Sequence, residues 1–228
     1  MHEAIPDIDV QIESNQSQRT PCVLVLDGSG SMAVEGRVDE LNAGLREFER
    51  ALREDSRARV QVQVAAIRVG DRDRAEVLHD WTDAAHFKAP TVKANGSTPL
   101  GAGMRLALRK VEELKARLQA AGVAYTRPWV FMMTDGEPND PDWREAAAEV
   151  RRSIADRKLI LWPVGVGAGA NPAKMRLFQA PDQPVYDLGG ANFREMFLWL
   201  SGSLSRASGT AAGGQVQVAA PPMLTIPN

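Results

Sequence analysis

Two short apolar runs that each end at an aspartate are the sequence feature that most constrains the fold. Residues 22–26 read Cys-Val-Leu-Val-Leu and stop at Asp27, and residues 129–134 read Trp-Val-Phe-Met-Met-Thr and stop at Asp135. Continuous apolar character over so short a length is typical of a strand that is buried on both faces of a parallel sheet. The two runs therefore predict buried strands whose carboxyl ends carry acids.

Amphipathic helical patterns alternate with such strands. Leu41, Leu45, Phe48 and Leu52 follow one another at spacings of four, three and four, which places them on one face of a helix. Further helices are predicted at 104–122, 143–157, after Pro172 and at 193–204, and further strands at 59–69, 76–81, 159–166 and 185–188. This order predicts an α/β fold, with a doubly wound, mainly parallel central sheet, one antiparallel edge strand at 76–81 and helices on both faces.

Composition divides the chain into three parts. Residues 1–20 are predicted to be a polar arm with one edge strand at Ile8–Ile12, residues 21–205 the folded domain, and residues 206–228 a tail rich in Ala, Gly, Ser and Pro that is flexible or loosely docked. The hexapeptide Gln-Val-Gln-Val-Ala-Ala occurs at 61–66 and again at 215–220. Chance repetition in a simple composition accounts for it, and the alternative is that the tail adds a strand to a sheet edge.

Charge and cysteine content exclude several classes of function. The chain has 27 basic and 29 acidic residues, a net charge of −2, and hence no basic field for non-specific nucleic-acid binding. Cys22 is the single cysteine, so neither an intrachain disulfide nor a cysteine-rich zinc site can form. No apolar run reaches the roughly 18 residues that span a bilayer, and the polar N-terminus lacks the basic start and apolar stretch of a secretory signal. We therefore expect a cytoplasmic protein.

Two acids and three hydroxyls make up the candidate functional site. Asp27 and Asp135 are expected at one rim of the sheet, because the carboxyl ends of parallel strands form the ligand crevice of an open α/β sheet. Ser29 and Ser31, separated by single glycines, can point both hydroxyls from a tight loop at one centre, and Thr98 adds a third hydroxyl. Hard divalent cations prefer such an all-oxygen set. The sequence therefore predicts a cation site, with Mg²⁺ expected and Mn²⁺ or Ca²⁺ as alternatives.

The segments that carry these residues resemble the metal-ion-dependent adhesion site (MIDAS) of von Willebrand factor A (VWA) domains. They are Asp27–Met32, Thr98 and Thr134–Gly136, and the resemblance covers roughly residues 20–205. It implies a Rossmann-like VWA fold in which Ser29, Ser31 and Thr98 bind the ion directly or nearly so. Asp27 and Asp135 would often act through water, and one coordination position would stay open for a Glu or Asp of a partner protein.

Three segments are similar to bacterial intracellular VWA proteins of the TerY or YegL type. They are Asn42–Leu45, Asn95–Gly101 and Thr134–Asp140. This finer resemblance implies a setting in tellurite-resistance and related stress-response or defence systems, in some cases alongside a kinase and a phosphatase. The sequence departs from the pattern at Gly28, where many relatives carry a larger residue, which implies a looser loop.

Other interpretations of the same residues remain open in the sequence. The leading hypothesis is a non-enzymatic, metal-ion-dependent protein-binding module, and the alternative is a metal-dependent phosphoester hydrolase that uses the same cluster. Against the hydrolase, the sequence places no base or nucleophile beside the ion. Thr98 could instead be a helix N-cap with Pro99 at the first helical position. The polar residues Glu137, Asn139 and Asp140 could tune the ion, select partners or simply lie on the surface.

Overall fold

The computed structural model describes residues 5–135, 137–167, 169–188, 192–210, 222 and 224–226. Six strands form one sheet in the order β3-β2-β1-β4-β5-β6. They are β1 (Thr20–Gly28), β2 (Val62–Gly70), β3 (Arg74–Asp83), β4 (Trp129–Thr134), β5 (Ile160–Gly165) and β6 (Tyr186–Asp187). The β2–β3 pair is antiparallel, and the other pairs of neighbouring strands are parallel. The predicted fold class, a mainly parallel α/β sheet with one antiparallel edge, is confirmed.

Helices cover both faces of this sheet. They are α1 (Ile8–Ser14), α2 (Arg37–Glu54), α3 (Ala58–Gln61), α4 (Leu100–Ala120), α5 (Trp143–Ala155), α6 (Pro172–Arg176) and α7 (Phe193–Ser208). Successive residues of β1 point to opposite faces, so that Leu24 packs in the core shared with α2 and α7 and Val25 in the core shared with α4 and α5. No helix in the described part of the chain combines the length and apolar character needed to cross a membrane.

The tryptophans pack within the two cores. Trp162 stacks on Phe131 with ring centroids 5.6 Å apart and planes inclined by 5°, and Trp199 meets Trp162 edge-on. On the opposite face, Trp143 stacks on Phe178. Such pairs add stability beyond the area that they bury.

The predicted edge strand at Ile8–Ile12 is wrong, because these residues belong to helix α1. The Asp7 side chain accepts a hydrogen bond from the backbone N–H of Asp9 at 2.9 Å and caps the helix. Ile8 and Ile12, four residues apart, are both buried, whereas Val10 between them is exposed. The pattern Ile-Asp-Val-Gln-Ile fits both a period of two and a spacing of four, so five residues could not distinguish a strand from a helix.

Other boundaries also differ from the sequence prediction. Residues 58–61 form helix α3 rather than the start of β2, because the Asp55 carboxylate accepts a hydrogen bond from the N–H of Ala58 at 2.7 Å. In the tail, Thr225 pairs with Asp187 of β6 through two backbone hydrogen bonds of 2.8 and 3.0 Å. The repeated hexapeptide at 215–220 lies outside the described residues.

Candidate functional site

Asp27 lies near the carboxyl end of β1 with its side chain fully buried. One carboxylate oxygen, Oδ1, accepts a hydrogen bond from the backbone N–H of Ser29 at 2.8 Å, and Oδ2 accepts one from the Thr134 hydroxyl at 2.6 Å. Burial raises the pKa of Asp27, and the charge of Asp135 acts in the same direction, whereas the hydrogen bonds from Thr134 and Ser29 act to lower it. Asp27 therefore fixes the start of the loop that follows β1 and ties it to β4.

A continuous chain of hydrogen bonds joins the two acidic strand ends. The hydroxyl oxygens of Ser29 and Ser31 lie 2.9 Å apart, and the Ser31 hydroxyl donates to Asp135 Oδ1 at 2.8 Å. Strands β1 and β4 are direct neighbours, so Asp27 and Asp135 share one rim as predicted. Four of the five predicted site residues are thus linked by hydrogen bonds at the carboxyl edge of the sheet.

Thr98, the fifth predicted residue, lies on an adjoining loop that is bound to the same rim. The N–H of Gly30 donates to the carbonyl of Gly96 at 3.0 Å, which joins this loop to the serine loop. Thr98 is buried, and its N–H donates to Asn139 Oδ1 at 3.2 Å, while the N–H of Asn139 donates to the Thr98 carbonyl at 3.1 Å. The segment after β4 therefore holds Thr98 in place from the other side.

The cap of helix α4 is Asp140 and not Thr98. Its two carboxylate oxygens accept hydrogen bonds from the N–H groups of Gly101 at 3.2 Å and Ala102 at 2.9 Å. The position before the helix is Pro99, which makes no side-chain cap. Asn139 and Asp140 support the site, and the sequence left their roles open. Their signals were their positions four and five residues after Asp135 and their place in the Thr134–Asp140 segment of the family resemblance.

The expectation of a looser loop at Gly28 is wrong. A Cβ atom at this position would lie 2.9 Å from both the Cδ of Arg68 and the carbonyl oxygen of Lys93, which is closer than real Cβ contacts. The carbonyl of Gly28 also accepts a hydrogen bond from the N–H of Asn95 at 2.7 Å. The glycine is therefore required by the close approach of neighbouring segments.

Arg37 is a site residue that sequence analysis missed. Its Nη1 lies 3.2 Å from Asp135 Oδ2, and its Nη2 lies 2.9 Å from Glu35 Oε2. The Asp135 side chain is fully buried and that of Arg37 is 12% exposed, whereas that of Glu35 is 75% exposed. The hydrogen bond to Glu35, followed by that to Asp135, raises the pKa of Arg37. A lone arginine at the start of a helix gave no signal of this contact, since the contact spans 98 positions of the chain.

The chemistry of this donor set fits a hard divalent cation. All the side-chain donors predicted at the rim are oxygens, three of them neutral hydroxyls and two of them carboxylates. The described residues contain no group of three or more His, Cys, Asp or Glu that could form a different metal centre. Oxygen ligands of this kind suit Mg²⁺, Mn²⁺ or Ca²⁺ better than softer ions.

Comparison with known proteins identifies the class of fold. No protein-family model matches the chain, and no curated protein matches its sequence. Among solved structures, the chain is similar to proximal thread matrix protein 1 from the mussel byssus, in a structure described with a zinc-occupied MIDAS motif. The two chains are 12% identical, with a TM-score of 0.56 over 84% of this chain and 49% of that one. The fold is therefore that of VWA-domain proteins.

Two further structures agree with this result. The ArnB paralog VWA2 from Sulfolobus acidocaldarius is 15% identical, with a TM-score of 0.54 over 84% of this chain and 45% of that one. The manganese-loaded Plasmodium vivax TRAP protein is 18% identical, with a TM-score of 0.51 over 79% of this chain and 74% of that one. The chain spans about half the length of the byssus and Sulfolobus proteins. At these identities, the likeness establishes the fold alone.

Proposed function

We propose that the chain is a metal-ion-dependent protein-binding module whose divalent cation is held by Asp27, Ser29, Ser31, Thr98 and Asp135. The observation that carries this proposal is the hydrogen-bond chain from Ser29 through Ser31 to Asp135. It brings together oxygen donors that are 106 positions apart in the sequence (Ser29 to Asp135). We assign the module to residues 21–205, with helix α1, the first residue of β1 (Thr20) and the last turn of α7 (to Ser208) packed against it.

The charge of these donors determines what the cation can do. Serine and threonine hydroxyls are neutral, so they bind a cation without cancelling its charge. A cation held largely by hydroxyls keeps its attraction for an anion, and a Glu or Asp side chain of a partner protein would complete its coordination with a charge-assisted bond. The chain's own residues would orient the cation, and the partner would supply the last ligand.

Two of the similar structures hold a divalent metal ion, one described with a zinc-occupied MIDAS motif and the other as manganese-loaded, and this supports a cation in the present chain. For this chain we propose Mg²⁺ as the resident ion, with Mn²⁺ or Ca²⁺ as substitutes. From the sequence motifs alone, we further propose a cytoplasmic role in a bacterial stress-response or defence system of the tellurite-resistance type. A kinase and a phosphatase of the same system are the proposed partners.

Isothermal titration of the full chain with Mn²⁺ tests this proposal. We expect one ion per chain for the wild type and no binding for the double variant Ser29→Ala, Ser31→Ala. The matched control is the double variant Ser14→Ala, Ser153→Ala. It also removes two hydroxyls, but these donate only to backbone carbonyls of their own helices. Absence of binding to the wild type, or equal binding to the double variant, would contradict the proposal.

The hydrolase alternative is tested separately with a generic phosphoester. The module interpretation predicts no turnover of p-nitrophenyl phosphate by the purified chain in the presence of Mg²⁺ or Mn²⁺. Turnover that disappears in the Asp27→Ala variant would instead assign catalysis to this cluster.

A further inference from the structure

We propose that Arg37 is a specificity-determining residue of the site, which weakens binding of the cation and strengthens binding of the carboxylate that follows it. The proposal rests on the proposed function, because it concerns the same cation. Arg37 places a positive charge beside the rim of the sheet, and none of the motif residues carries such a charge.

The position of Arg37 is fixed by three segments of the fold. Its guanidinium bridges the buried carboxylate of Asp135 and the exposed carboxylate of Glu35. Gly167, in the loop after β5, has its backbone against the same group, since a Cβ at that glycine would lie 2.7 Å from Arg37 Cζ. The guanidinium is therefore packed beside the rim, where its positive charge acts on an ion bound there.

Arg37 and the hydroxyl of Ser31 occupy different oxygens of the same carboxylate. Ser31 donates to Asp135 Oδ1 and Arg37 to Asp135 Oδ2. A cation that gathers the oxygen atoms around Ser31 can thus bind on one side of Asp135 while the guanidinium stays on the other. The arginine has no need to leave when the cation binds.

The net charge around the cation depends on Arg37. Asp27, Asp135 and Glu35 in their ionised forms carry three negative charges and Arg37 carries one positive charge, so that the sum is −2 before a dication binds and 0 afterwards. With a neutral residue at position 37 the corresponding sums are −3 and −1. A positive charge at position 37 repels the cation and attracts an anion that is bound next to the cation. Loss of Arg37 should therefore tighten cation binding and weaken binding of an anion to the loaded site.

The test measures these two affinities in the full chain. Isothermal titration gives the Kd for Mn²⁺, and titration with sodium acetate, followed by the proton relaxation of water on bound Mn²⁺, gives the Kd for a carboxylate. For Arg37→Gln we expect Mn²⁺ to bind about tenfold more tightly and acetate about tenfold more weakly. Arg37→Lys keeps the charge, and Arg50→Gln removes an arginine that pairs with Glu47 and Glu54 on the exposed face of α2, so both should stay close to the wild type.

The outcomes separate this inference from the function on which it rests. A wild-type chain that binds no Mn²⁺ would contradict the proposed function. A wild type that binds Mn²⁺, with an Arg37→Gln variant whose two affinities are unchanged or move in the same direction, would overturn the role of Arg37 alone. Circular dichroism checks that the Arg37→Gln variant folds. If that variant does not fold, Arg37→Met, which keeps the aliphatic length of the side chain, replaces it in both titrations.

Discussion

Replacement of Ser31 by alanine separates the structural role of the rim from its role in binding. The Ser31 hydroxyl donates to the fully buried Asp135 carboxylate at 2.8 Å. A hydrogen bond to a charged group contributes about 2 kcal/mol. Arg37 still contacts the other oxygen of that carboxylate, so we expect a loss of about 2 kcal/mol in the free energy of unfolding rather than global unfolding.

The cation adds a second, separable effect. At a Mn²⁺ concentration of about 100 Kd, binding to the folded state alone stabilises the wild type by about 2.7 kcal/mol. For a chain of this size, each kcal/mol shifts Tm by about 2–4 °C. The wild type should therefore gain roughly 5–10 °C on addition of Mn²⁺, and Ser31→Ala should gain nothing.

Differential scanning calorimetry with and without Mn²⁺ measures both effects. Ser153→Ala is the matched control, because its hydroxyl donates only to the Glu149 carbonyl of the same helix, and it should show the full gain. A Ser31→Ala variant that gains as much as the wild type would refute the reasoning, since Ser31 would then hold no ion. A variant that fails to fold without metal would show that the serine loop is needed for the fold itself.

Three further substitutions test the packing around the rim and the core, each by chemical denaturation. Gly28→Ala should lower the free energy of unfolding by about 1–3 kcal/mol, because the added Cβ would meet two neighbours at 2.9 Å. The control Gly30→Ala, whose Cβ would have one neighbour at 3.6 Å, should change it little, and equal losses would contradict the packing argument. Gly44→Ala should lower stability by a similar amount, because the added methyl would lie 2.7 Å from a ring of α7, whereas Gly202→Ala should be neutral or stabilising. Asp140→Ala should lower stability by about 1–2 kcal/mol through loss of the α4 cap, and an unchanged midpoint would contradict that role.

The order of the elements could be predicted because the buried strands carry a strong signal. The run before Asp27 and the run Trp129–Thr134 are apolar at nearly every position, since both faces of these strands are covered. The shared rim of Asp27 and Asp135 follows from that parallel arrangement. Where a segment was short, as in Ile8–Ile12, helical and strand patterns coincided, and the contacts of α1 with the rest of the fold decided the outcome.

The supporting contacts of the site could not be predicted in the same way. Arg37 meets Asp135, and Thr98 meets Asn139, across large distances in the sequence and through single polar groups that follow no period. The need for glycine at position 28 likewise arises from side chains and backbone of other segments. Local pattern identifies the motif residues, whereas the packing of the whole domain determines which neighbours hold them in place.

The most direct test of the cation site is a crystal structure of the chain grown with Mn²⁺, with the ion located by its anomalous scattering. We predict one peak at the carboxyl edge of the sheet, within coordination distance of the hydroxyls of Ser29, Ser31 and Thr98. A well-ordered site with no peak there, or with Thr98 turned away from an ion bound by the two serines, would contradict the convergence of these donors on one ion.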